Sequence, residues 1–171
     1  MFAHSPTVIF HILLNMYTLW LFGRQLEHFL GRGRFIALYL ISGFAGSLVV
    51  QFWTYADTQA LLIPVVGASG AIFGLLGSFL VIGRSMGGNM TSFVVLLAIN
   101  IAIGFMPGSS IAWQAHVGGL LGGLVVGLIF MKTRMPNQRN AQIGLVAAFA
   151  GALVVLSLAF FVVSPVSGLL Q

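Results

Sequence analysis

Residues 112–131 read AWQAHVGGLLGGLVVGLIFM and contain no acidic residue, lysine or arginine. A run of about 20 mostly apolar residues is long enough to cross the hydrocarbon core of a bilayer as a helix. Within this run, glycines recur at every fourth position, at Gly119, Gly123 and Gly127. Because small residues at this spacing let two helix backbones approach closely in lipid, the stretch predicts a membrane-spanning helix packed tightly against a second helix.

The rest of the chain has the same apolar character. Hydrophobic residues make up 59% of the 171 residues and charged residues only 5%, whereas a soluble domain carries roughly 25% charged residues. Charges and turn residues separate further apolar segments at about 7–22, 35–53, 69–83, 91–106 and 142–163. We therefore expect an all-α, polytopic membrane helix bundle with about six transmembrane helices. We expect it to form one domain over residues 1–171, with no soluble domain.

Two of the predicted spans, 7–22 and 69–83, are short for a membrane crossing. A short span either lies in a thinned membrane or meets a loop that dips inward. Pro64 and the glycines around Ser69 favour a dipping loop before the third span. The first segment has no basic residues ahead of it and no small-residue cleavage pattern after it, so we do not expect a cleaved signal peptide.

The lysines and arginines are distributed asymmetrically along the chain. All seven follow the first, third or fifth apolar segment, and the alternate connections carry only Asp57. Because basic loops are retained in the cytoplasm, these connections should be cytoplasmic and both termini should lie outside. We expect an integral multi-pass protein, in a bacterial cell membrane, with its polar site toward the outer face.

The same charges argue against several functional classes. The net charge of +5 comes from basic residues that are scattered singly or in pairs, so we expect no nucleic-acid partner, which would need a basic patch. The absence of cysteine removes disulfides, thiol nucleophiles and cysteine-based zinc sites from consideration. We expect neither a metal nor a cofactor. Membrane lipid is an expected partner.

Polar residues within membrane spans are energetically costly and therefore tend to be functional. The candidates are His11, Asn15, Ser69, Asn100, Gln114 and His116. With the predicted topology, His11, Ser69 and His116 lie within about two turns of the outer ends of their helices. Asn15 lies one turn below His11 on the same helix face. Four polar groups from three spans should therefore meet in one leaflet.

These groups have the chemistry of an activated serine. A serine hydroxyl needs a base near neutral pH, and the His116 imidazole is suited to that role. The Asn15 amide, the His11 ring and the Ser69 backbone N–H could stabilise an oxyanion. Gly70 and Gly74, next to the serine, can pack against Gly119 and Gly123 below the histidine. The only acidic residues, Glu27 and Asp57, lie outside this leaflet, which predicts a Ser-His dyad without a third member.

Each of these residues taken alone has a less specific interpretation. A lone membrane serine usually packs or bonds to its own backbone, and a lone histidine also suits a proton relay or a transporter gate. Asn15 by itself would most often bond to another helix. A small transporter should show inverted repeats or midplane charges, and the sequence shows neither. The spacing of the residues alone still allows a transporter site.

Three segments of the sequence resemble the motifs of the rhomboid intramembrane serine proteases. GASGAIFG at 67–74 is similar to GxSG, AHVGGLLGG at 115–123 to AHxxGxxxG, and HILLN at 11–15 to HxxxN. The interval Gly23–Glu27–Gly31 resembles the GxxxExxxG stretch of that family. The likeness covers about residues 4–131. It implies that Ser69 is the nucleophile, His116 the general base, and His11 and Asn15 the oxyanion residues. It implies Gly67, Gly70, Gly74, Gly119 and Gly123 as motif glycines, and transmembrane proteins as substrates.

The sequence departs from the rhomboid pattern in two places. Members of the family carry a helix and a loop with a Trp-Arg pair ahead of the HxxxN motif, so we expect that an upstream helix is missing from this chain. Phe73 occupies the position where many members have a tyrosine against the catalytic histidine, and its ring should still stack there. The segment at about 142–163 would be an additional C-terminal helix. The alternatives are a non-catalytic rhomboid-like protein that binds transmembrane clients and a truncated, inactive form.

Overall fold

The computed structural model describes residues 6–54, 56–57, 68–106 and 112–163. Regular structure in these ranges is helical. The elements are α1 (Pro6–Thr18), a π turn (Leu19–Gly23), α2 (Arg24–Leu30), α3 (Arg32–Trp53), α4 (Ser69–Ser85), α5 (Thr91–Gly104), α6 (Trp113–Lys132), a short 3-10 turn (Pro136–Gln138) and α7 (Arg139–Val163). The predicted all-α membrane bundle is confirmed.

The first predicted span is longer than its apolar segment. Helix α1 continues through the π turn into α2 and ends only at Leu30. Gly31, with φ of +81°, then reverses the chain into α3. The helical run therefore extends beyond the apolar segment predicted at about 7–22. Arg24 is exposed on the helix surface while Leu26 and Leu30 continue the buried face, which a count of charges does not reveal.

The sequence predicts the basic residues in the connections between helices. In the structure most of them lie on helix ends. Arg32 and Arg34 begin α3, Arg84 belongs to the last turn of α4, and Lys132 ends α6. Long basic side chains can extend from the end of a membrane helix toward water while the backbone remains helical. The helices therefore run a few residues beyond the apolar segments.

Three of the described helices can cross a membrane by length and composition. They are Arg32–Trp53, Trp113–Lys132 and the helix that the 3-10 turn leads into, Pro136–Val162. Helices α4 and α5 are shorter, with 17 and 14 residues. The dipping loop that was predicted before α4 falls at positions 58–67, outside the described residues.

Helices α3, α4 and α6 form the centre of the bundle, where their backbones come into contact. A Cβ atom added to Gly46 of α3 would lie 2.7 Å from the Ala115 carbonyl oxygen of α6. A Cβ added to Gly118 would lie 2.6 Å from the Ala45 carbonyl oxygen of α3. Leu38, Leu75 and Val126, one from each helix, lie farther along and form a fully buried core with Leu26. Glycine contacts and large buried side chains thus alternate along the interface, since Leu75 lies beside Gly74 and Val126 beside Gly127.

Polar side chains attach α7 to the bundle at both of its ends. Near one end, Arg34 Nε donates to Gln142 Oε1 at 2.7 Å, and Gln142 Nε2 donates to the Thr133 hydroxyl oxygen at 2.9 Å. Near the other end, Ser157 Oγ donates to Gln51 Oε1 at 2.9 Å. Interhelical hydrogen bonds of this kind help associate helices in lipid, where the hydrophobic effect cannot.

Alanine at Gly118 should destabilise the bundle, and alanine at Gly151 should not. The added methyl group at Gly118 meets backbone and the Val49 side chain, which must shift, whereas Gly151 faces open space. Overpacking typically costs about 1–3 kcal/mol, while Gly-to-Ala on an open helix face gains up to about 1 kcal/mol. Thermal unfolding in detergent measures both. Equal midpoints for the two variants would show that the α3–α6 contact is loose.

Candidate active site

Ser69 is the first residue of α4. It follows Ala68, the helix N-cap, and is half-buried. The N–H groups in the first turn of a helix have no intrahelical acceptor, so a serine in this position combines a hydroxyl with available backbone donors. The motif glycine before it, Gly67, lies outside the described residues.

His116 lies on the first turn of α6 and is only 5% exposed. Its ring is stacked on Phe73 of α4, with ring centroids 4.1 Å apart and an angle of 8° between the planes. Its Nδ1 atom is buried and has no hydrogen-bond partner among the described residues. The orientation of the imidazole therefore depends on stacking and packing, and in the described structure no carboxylate orients it.

Backbone contact between α4 and α6 joins the residue after Ser69 to the residue before His116. The Ala115 carbonyl oxygen, next to His116, lies 3.1 Å from the position that a Gly70 Cβ would occupy, next to Ser69. A Cβ added to Gly119 would overlap the Gly70 carbonyl oxygen. One turn lower, a Cβ added to Gly123 would overlap the carbonyl oxygen of Gly74. The two predicted glycine stripes thus face each other directly below the candidate dyad.

His11 and Asn15 belong to α1 and are both half-buried. Asn15, four residues further along, shares the His11 face of the helix. Helix α1 also contacts α4, the helix that begins with Ser69. Helix α4 also contacts α6, which carries His116, so the three helices with the predicted site residues are neighbours in the bundle.

The other two polar candidates differ in position. Asn100 of α5 is exposed, and its Nδ2 donates to the Leu96 carbonyl oxygen of the same helix at 2.8 Å. This hydrogen bond is made within α5, and no described contact links Asn100 to the candidate site. Gln114 is half-buried in the first turn of α6, two residues before His116.

Two buried serines were not singled out from the sequence. Ser42 of α3 and Ser78 of α4 are fully buried, and their hydroxyl oxygens have no partner in the described part of the chain. A Cβ added to Gly74 would overlap the Ser42 side chain, and a Cβ added to Gly127 would lie 2.8 Å from Ser78 Oγ. Both serines therefore fill the space that the glycines leave. Ser42 precedes Gly46 by four residues, a small-xxx-small spacing that could have indicated its position.

A comparison with protein families identifies the family of this chain. A family model described as the Rhomboid domain matches residues 1–133. The chain belongs to the rhomboid family. The match ends before α7, so α7 lies beyond the part of the chain that the family pattern describes. No solved structure matches the chain significantly.

Several curated relatives are similar to this rhomboid chain. It is 36% identical over 152 residues to RHOMBOID-like protein 1 of Arabidopsis thaliana, covering 83% of this chain and 37% of the relative. It is 34% identical to Rhomboid protein 1, mitochondrial, of Saccharomyces cerevisiae, covering 82% and 44%. It is 37% identical to Rhomboid protease GluP of Bacillus subtilis, covering 67% and 22%. The chain spans less than half the length of each of these relatives.

Valine at Gly119 should suppress the reaction of the site more than valine at Gly127. A side chain at Gly119 displaces Gly70, the neighbour of Ser69, whereas one at Gly127 displaces Ser78, farther from the site. A displacement of about 1 Å at reacting groups can cost on the order of 100-fold in rate. The measurement is cleavage of a transmembrane test substrate per folded molecule. Valine at Gly144, which faces open space, is the control. Near-normal turnover in both tested variants would make the glycine contact a generic packing surface.

Proposed function

We propose that this chain is an intramembrane serine endopeptidase in which Ser69 and His116 form a catalytic dyad. Membership of the rhomboid family, some of whose relatives are named as proteases, supports a membrane protease at the family level. The observation that carries the finer assignment is the contact between the first turns of α4 and α6, through Gly70 and Ala115. This contact joins the residue after the serine to the residue before the histidine.

The reaction begins when Ser69 Oγ attacks the carbonyl carbon of the scissile peptide bond, while His116 takes the hydroxyl proton. The resulting oxyanion accepts hydrogen bonds from the Asn15 amide, the His11 ring and the Ser69 N–H. Protonated His116 then gives its proton to the departing amine, and the acyl group remains on Ser69 as an ester. Water attacks the ester with His116 again as base, which releases the carboxylic acid product and restores the serine.

Phe73 supports the histidine in this scheme. A ring stacked at 4.1 Å restricts rotation of the imidazole. With no partner on Nδ1 in the described structure, the protonated ring lacks the counter-charge that a triad aspartate supplies. The stacking contact therefore takes over the orienting part of that role but not the electrostatic part.

The position of the proposed dyad within a membrane protein favours membrane proteins as substrates. The chain is a membrane protein, and its dyad lies at the ends of α4 and α6 that are opposite to Arg84 and Lys132. We place the basic ends in the cytoplasm and the site toward the outer face of a bacterial cell membrane. Substrates are proteins with transmembrane segments, cut within or beside those segments. We treat residues 1–171 as one domain. Hydrogen bonds from Gln142 and Ser157 attach its last described helix, α7, to α3.

Removing either member of the dyad should abolish cleavage. Ser69→Ala removes the nucleophile and His116→Ala removes the base, and because the two act as a unit the double variant should be no worse than either single variant. The measurement is the turnover of a transmembrane test substrate in reconstituted vesicles. Substantial residual cleavage by Ser69→Ala would contradict the dyad. A wild-type chain that binds the substrate without cutting it would indicate a client-binding protein.

Asn15→Ala should lose rate while keeping stability. Loss of one oxyanion donor typically lowers turnover by on the order of 100-fold or more, whereas the half-buried Asn15 side chain fills little of the core, so its removal should change stability little. Turnover and the thermal midpoint in detergent are measured on the same preparation. A variant that is equally fast but less stable would make Asn15 a packing residue. Asn100→Ala, which removes an exposed amide of similar size, is the matched control.

A further inference from the structure

The first helix changes its hydrogen-bond pattern in the middle. The π turn at Leu19–Gly23 lies between α1 and α2, and Thr18 and Arg24 on either side of it keep helical backbone angles. In a π turn each N–H bonds five residues back rather than four, so the turn holds one more residue than an α turn. Such single turns are frequent at functional sites.

The additional residue determines which side chains share a face. Leu30 follows His11 by 19 residues, which in an uninterrupted α-helix would place the two about 100° apart. When the π turn takes up one residue, the remaining 18 correspond to about five complete turns. His11 and Leu30 then lie on one face. By the same count, the angle between Gly23 and Asn15 around the helix axis is about 20° with the π turn, compared with about 80° in an uninterrupted α-helix.

Packing fixes α2 and the π turn more firmly than α1. Leu26 and Leu30 are buried in the central core, against which Leu19 also packs. The Phe22 ring packs edge-on against Phe79 of α4, with ring centroids 5.1 Å apart. It is tilted against Phe93 of α5, with ring centroids 5.6 Å apart.

The next stretch of α1 has fewer such contacts, since Ile12, Leu13 and Leu14 are all exposed and α1 shares only a small contact with α4. The rotation of α1 about its axis is therefore set from α2, through the π turn.

We propose that the π turn at Leu19–Gly23 is a positioning element of the site, which holds His11 and Asn15 in register with the buried face of α2. The proposal rests on the proposed function, because the oxyanion roles of His11 and Asn15 belong to it. The number of residues in the turn matters, and the identity of the exposed Trp20 does not.

A change in residue count tests this directly. Deletion of Trp20 converts the turn to α-helix while keeping 18 effective residues between His11 and Leu30, so cleavage should stay within about tenfold of normal. Insertion of one alanine after Trp20 should rotate His11 away by about 100° and lower turnover by on the order of 100-fold, as expected for lost oxyanion donors. An α-helix without the additional residue would respond equally badly to both changes.

Two matched controls accompany these variants. Trp20→Ala removes the same side chain without changing the count, and an alanine inserted directly before His11 lengthens the helix outside the counted interval. Both should cleave normally. A deletion variant that is unfolded, or as inactive as the insertion variant, overturns the proposal.

A second readout does not depend on catalysis. The chain has no cysteine, so Ile12→Cys gives a single thiol about 100° from His11, at an exposed position. A thiol reagent in detergent should label it rapidly in the wild-type background and after deletion of Trp20, but more slowly after the insertion, which turns position 12 to the half-buried place of His11. Labelling that is as rapid after the insertion as before it overturns the proposal. If the wild-type chain cleaves nothing while the labelling pattern holds, the proposed function fails and the register does not.

Discussion

The site depends on the contact between the backbones of α4 and α6, where the Gly70 carbonyl oxygen occupies the space that a side chain at Gly119 would need. In lipid the hydrophobic effect does not drive helices together, so association requires close van der Waals contact. Glycine permits that approach at the cost of helix propensity. In the proposed dyad the same close approach would set the distance between Ser69 and His116, so that one contact would serve both packing and catalytic geometry.

The second constraint is that no carboxylate orients the histidine within the described part of the chain. His116 is buried, its Nδ1 has no partner there, and its ring lies flat on Phe73. A buried nitrogen without a partner is unfavourable. Ser42 and Ser78 carry similar unpartnered hydroxyls in the same interface. The closely packed interface therefore contains three buried polar atoms that have no hydrogen-bond partner among the described residues.

Much of this arrangement follows from local patterns in the sequence. The glycine spacing around Ser69 and after His116 predicts two stripes, and the basic residues at one set of helix ends predict a topology. Other features depend on contacts between segments distant in sequence. The helical run continues past the first apolar segment because Arg24 is exposed on its surface while Leu26 and Leu30 continue the buried face. No proline or glycine pair marks the π turn in the sequence, and Leu19 and Phe22 within it pack against other helices. The bonds of Gln142 and Ser157 likewise appear only when α3 and α7 are placed together.

The central claim is that the packing of α4 on α6 makes Ser69 a nucleophile through His116. The most direct measurement is covalent labelling of the detergent-solubilised chain with a fluorophosphonate, followed by identification of the modified residue by mass spectrometry. Such a reagent reacts with an activated serine and needs no substrate. The account predicts modification at Ser69 and not at the buried Ser42 or Ser78, with loss of the reaction in His116→Ala. An unmodified Ser69 in a folded chain, or modification that persists without His116, would contradict it.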